Sequence, residues 1–191
     1  LMVCGFLGTL ISLERAVGLG SRWGYAAPVL VAAGALMLVP DPIGSFGPMM
    51  ITAGSLVMVA IFVVVWRRHA SLFVATMTIG ALAWTAGNVQ WLGGAPIFRV
   101  VFWWLAFLVL TIAGERLELN RVLRPTPAVR STFVLAMVTV LGGVAAATWW
   151  PEPGVRALGV GLIALTWWLA RHDVARRTVR QRGVTRFMAV C

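Results

Sequence analysis

Apolar residues run along this chain in blocks, each broken by a short cluster of glycine, proline or arginine. A bilayer's hydrocarbon core takes roughly 20 mostly apolar residues per helix, and the blocks approach that length. The first runs from Leu1 to about Val17 and the second from about Gly24 to Leu38. The third spans Gly47 to Trp66, the fourth Ser71 to Leu92, and the fifth Phe98 to Leu119. The sixth runs from Ser131 to Trp149 and the seventh from Val155 to Ala170. An eighth begins near Phe187. Pro28 and Pro48 fall in first turns, where a missing N–H does little harm. Ser71 is placed to cap the fourth helix. Turns are expected at Pro40–Gly44, Gly93–Pro96 and Pro151–Gly154. The pattern predicts an all-α polytopic transmembrane helical bundle of seven helices plus the start of an eighth. The chain opens at Leu1 inside one apolar block and closes at Cys191 in the first turn of another, as an internal fragment would.

Composition agrees. The chain is 60% hydrophobic and 12% charged, against about 45–50% and about 25% in soluble domains. The net charge of +10 rests entirely on arginine. Arg15, Arg22, Arg67, Arg68, Arg116, Arg121, Arg124, Arg130 and the run Arg171–Arg186 fall at one set of helix ends. Only Arg99 and Arg156 fall at the other. By the positive-inside rule the arginine-rich ends are cytoplasmic, which predicts a multi-pass protein of a bacterial inner membrane. Interleaved with apolar spans, these arginines point away from nucleic acid. The expected partner is the lipid bilayer, with anionic lipid at Arg171–Arg186. Trp23, Trp66, Trp167 and Trp168 near one set of ends, and Trp91, Trp149 and Trp150 near the other, suit the headgroup zone.

Landmarks recur along the chain. Glu14-Arg15 closes the first helix and Glu115-Arg116 the fifth. Pro40-Asp41-Pro42 follows the second, and Pro151-Glu152-Pro153 follows the sixth. Arg68-His69 ends the third, and Arg171-His172 the seventh. The shared order suggests a parallel four-helix duplication, with one membrane repeat in 1–93 and a second in 94–191.

Candidate chemistry is sparse. Glu14, Arg15, Glu115 and Arg116 are ion-pair candidates. Adjacent residues on a helix diverge by about 100°, so an exchange between the repeats, Glu14 with Arg116 and Glu115 with Arg15, is the structural alternative to solvated boundary charges. Asn88 and Gln90 are the most polar residues inside a span, suited to lining a cavity or, more plainly, to interhelical hydrogen bonds. His69 and His172 sit beside arginine at helix ends, where a cation suits the dipole. Met49, Met50 and Met58 read as packing rather than copper ligation. Gly142, Ala146, Ala157 and Gly161 give small-residue spacing for close contact between the sixth and seventh helices. Cys4 and Cys191 form no metal-binding spacing. No catalytic set appears, which leans away from an enzyme.

The stretches Phe6–Val17, Phe107–Leu123 and Ala170–Phe187 resemble bacterial polytopic proteins related to the NnrS family. The resemblance implies a longer helical bundle associated with haem or copper. That family's histidine-bearing helices have no match here, so any ligand would lie outside this chain. A small-solute transporter or channel built from two repeats, and a non-catalytic membrane scaffold subunit, are the alternatives.

Overall fold

The computed structural model describes residues 2–119 and 126–172, with side chains from residue 6 onward. The described residues form seven α-helices and no strand. They are α1 (Met2–Leu19), α2 (Ala26–Met37), α3 (Phe46–Arg68), α4 (Leu72–Leu92), α5 (Ile97–Leu119), α6 (Pro127–Trp149) and α7 (Pro151–His172), with a 3-10 turn at Arg22–Tyr25. The expected eighth helix, Arg121, Arg124 and the arginines beyond His172 lie outside the described residues. Five helices, α3 to α7, are long and apolar enough to cross a membrane. The fold class is the one the apolar blocks predict.

Several boundaries follow directly from local chemistry. Ser71 caps α4, its hydroxyl accepting from the Val74 N–H at 3.4 Å. Gly20, with φ of +66°, ends α1 in the left-handed region that glycine enters freely. Three expectations need correcting. The second block forms a helix of only 12 residues, because the 3-10 turn precedes it and Pro40 and Pro42 follow it. At 1.5 Å per residue it covers about 18 Å, well short of the ~30 Å hydrocarbon core. The sixth helix begins at Pro127 rather than Ser131. Pro151-Glu152-Pro153-Gly154 is not a separate turn but the first turn of α7. Proline is at home there, since the first helical N–H groups have no partner inside the helix. Glu152 suits the positive end of the helix and pairs with Arg156 one turn on.

The chain packs as two compact units, Leu1–Thr111 and Ile112–Cys191. This division concerns packing and falls inside α5; the duplication concerns sequence landmarks.

In the first unit α2 and α3 form a hairpin whose backbones nearly touch. A Cβ on Gly34 would lie 2.8 Å from the Gly47 carbonyl oxygen, and one on Gly54 would lie 3.0 Å from the Ala27 carbonyl oxygen. Met58, Ile61 and Phe62 of α3 and Trp84 of α4 belong to one buried cluster.

In the second unit α6 and α7 form another such hairpin. Gly143 abuts the Leu158 backbone and Gly154 the Ala147 backbone, and a Cβ on Gly161 would lie 2.7 Å from the Val140 backbone nitrogen. Gly142, expected at this contact, faces open space. One residue turns a helix by about 100°, so the contact runs through Gly143 instead. Trp168, expected in the headgroup zone, is buried. Its ring meets Phe133 edge-on at 4.9 Å, and its Nε1–H donates to the Val129 carbonyl at 2.9 Å.

Candidate functional site

The most polar point inside the first unit is Asn88, in the last two turns of α4. It is 1% exposed, and its Oδ1 accepts from Trp104 Nε1–H on α5 at 3.0 Å. The sequence places both residues on matching stripes. Gly80, Trp84, Gly87, Asn88 and Trp91 recur along one face of α4, as Val100, Trp104, Phe107 and Thr111 do along α5. The glycines make room for the rings. A Cβ on Gly87 would come within 2.9 Å of the Trp104 indole, and one on Gly80 within 3.3 Å of Leu110. Trp84 stacks on Phe107 with centroids 4.9 Å apart, and Trp91 meets Trp104 edge-on at 5.6 Å. Against the Trp84 ring α1 offers Gly8, where a Cβ would lie 2.5 Å from the indole.

Orientation of the amide is fixed by its partner. Trp indole can only donate, so Asn88 must present its oxygen there. That leaves Nδ2 buried without a hydrogen-bond partner among the described residues, as is Thr111 Oγ1. The other buried hydroxyls bond within their own helices: Ser12 to Thr9, Thr52 to Pro48, Ser55 to Thr52, Thr76 to Leu72 and Thr85 to Ala81 carbonyls. Such back-bonding removes polar demand from a helix in an apolar medium. The Asn88 site can accept and donate hydrogen bonds; it holds no group that titrates in the ordinary range. Gln90 is half-buried, and it lies about 200° around α4 from Asn88, so the two amides do not share a face.

The ion-pair candidates sit at helix ends. Arg15 Nη2 lies 3.6 Å from Glu14 Oε1, with the glutamate side chain 62% exposed. Charge-assisted hydrogen bonds are about 2.7–2.9 Å long, so this neighbour contact is loose, as the divergence of adjacent side chains requires. Glu115 and Arg116 are half-buried near the end of α5.

His69 is exposed after α3. His172 lies in the last turn of α7 with Nδ1 3.0 Å from the Trp168 carbonyl oxygen. Met58 is fully buried in the core cluster and Met49 is exposed, so the methionines of α3 do not share one environment. Among the described residues no three of His, Cys, Asp and Glu come together.

The aromatic seam around Trp84 and Trp104 was missed in the sequence, although a signal for it was there. Gly80-x-x-x-Trp84 is followed by Gly87-x-x-x-Trp91 on the same face. Read together, the two pairs announce a surface cut for large rings.

No curated protein and no solved structure matches this chain significantly. One family, described as a domain of unknown function (DUF8744), matches it over residues 1–191, and the chain belongs to that family.

Proposed function

We propose that this chain is a structural subunit of a bacterial inner membrane, a helical framework with no chemistry of its own. The observation that carries the reading is the composition of its interior. Among the described residues the buried polar ones are Ser12, Thr52, Ser55, Thr76, Thr85, Asn88 and Thr111, and none of them is ionisable. Ion- and proton-coupled carriers place acidic or basic groups within their spans, because charge movement needs titratable relays. Here the interior is given over to glycine contacts and aromatic stacking, which hold helices together in lipid. Cytoplasmic placement of the arginine-rich ends follows from their distribution along the chain. The matching glycine contacts in α2–α3 and α6–α7 support the duplication.

The test is the purified full-length protein. Its absorbance spectrum and metal content are measured, and solute flux is followed after reconstitution in liposomes. The framework reading expects no Soret band, no stoichiometric copper and no flux above empty vesicles. A Soret band or bound copper overturns it in favour of an NnrS-like role with ligands beyond this chain. Specific flux overturns it in favour of a transporter or channel.

A further inference from the structure

Between α6 and α7, in the half of the hairpin nearest Arg130 and Arg171, lies an open groove of about 670 Å³. It falls within the ~300–1,000 Å³ of small-molecule sites. Ala136 and Ala164 form its floor, and Leu135, Val160 and Ile163 its rims. The groove exists because the two helices touch at Gly143, Gly154 and Gly161 and carry bulkier side chains below that contact. Its hydroxyls are already engaged: Thr132 donates to the Val129 carbonyl and Thr139 to the Leu135 carbonyl. The rest of the lining is apolar. From Thr132 to Thr139 it extends roughly 10 Å along the helix, which keeps it within one leaflet of a ~30 Å core.

One end of the groove is cationic. Arg171 continues the α7 stripe of Val160, Ile163, Ala164 and Trp167, and its guanidinium sits 5.1 Å from the Trp167 ring centroid. At the same level α6 presents its N-terminus, where Thr126 makes no side-chain cap and Arg130 is exposed. Helix N-termini and guanidinium groups both favour phosphate oxygens. Among the described residues of α6 and α7 the one acid is Glu152, at the far end and paired with Arg156. Beyond His172 the sequence adds five arginines against the single Asp173.

We propose that this groove is a site for an anionic phospholipid, with one acyl chain between α6 and α7 and the phosphodiester at Arg171 and the first turn of α6. The charge at its mouth selects the headgroup, and the leaflet-deep apolar trough takes the chain. Trp167 spans the two zones, its ring against the acyl chain and its face under the guanidinium. The assignment stands on the second unit alone and is independent of the framework reading.

The full-length protein, delipidated in detergent, is titrated with phosphatidylglycerol and with phosphatidylcholine of identical acyl chains, and bound lipid is counted by native mass spectrometry. Phosphatidylglycerol binds preferentially, because choline cancels the phosphodiester charge in phosphatidylcholine, and R171Q weakens phosphatidylglycerol about fivefold, the effect of roughly one surface arginine, and phosphatidylcholine by less. A164F fills the trough and lowers occupancy by both lipids; A136L serves the same purpose if that variant does not fold. Phosphatidylglycerol brominated in its acyl chain quenches the wild-type emission more than that of W167F. Equal binding of the two lipids, or an R171Q variant indistinguishable from wild type, overturns the proposal. A trough-filling variant that changes the oligomeric mass and not the lipid count also overturns it, and assigns the groove to a second copy of the chain.

Discussion

In α3, Gly47 and Gly54 meet Gly34 and Ala27 of α2; in α7, Gly154 and Gly161 meet Ala147 and Val140 of α6. The spacing along each helix is the same, and so is the hairpin it makes. The surroundings differ. Met58, Ile61 and Phe62 of α3 are buried in the core cluster, whereas Val160, Ile163 and Trp167 of α7 are 62%, 72% and 59% exposed. Forming a tight hairpin is thus a local property, set by a small residue opposite a small or β-branched one. Covering it is a property of the neighbours. In lipid no hydrophobic force separates a buried apolar face from an exposed one, so close backbone contact supplies the attraction.

The contrast can be broken most severely at its rings. W84A removes a fully buried indole packed against Gly8 and Phe107, and a loss of about 3–5 kcal/mol is expected. W167A, on the exposed face of α7, is expected to change stability by less than about 0.5 kcal/mol. Unfolding in mixed micelles, followed by circular dichroism, measures both. Comparable losses would mean that the exposed face is covered in the protein as it works. Next come the glycines. G154L drives a side chain into the Ala147 backbone, which cannot move aside, and about 3 kcal/mol is expected. At Gly47 a new Cβ would meet the Leu38 side chain and the Gly34 oxygen at 3.0 Å. G47L is therefore expected to cost less, about 1–2 kcal/mol. The order of the two unfolding midpoints checks this. Below the glycine changes comes W168F, which keeps the contact with Phe133 but removes the bond to the Val129 carbonyl, for about 1 kcal/mol.

Much of this architecture was legible in the residues, and the failures have a common cause. Block length, Ser71 and the position of Gly93 located helices well, because those signals are independent of which way a helix faces. Rotation about the axis was not legible. A membrane helix can be apolar all round, so nothing distinguishes the face at Gly142 from that at Gly143, or the exposed Trp167 from the buried Trp168. The proline pair at 151 and 153 misled for a different reason: the residue that breaks a helix interior also opens a helix. At the candidate site, the interhelical use of Asn88 was anticipated. Its partner Trp104 was not, since pairing across helices depends on rotation too.

The brevity of α2 has a consequence for the membrane itself. A helix of that reach, closed by a polar turn in which Asp41 Oδ1 accepts from the Gly44 N–H, is about 12 Å shorter than a ~30 Å hydrocarbon core. Phospholipids beside it must splay or compress, at a fraction of a kcal/mol per ångström. Thinner bilayers are expected to accommodate the short helix with less distortion than thicker ones.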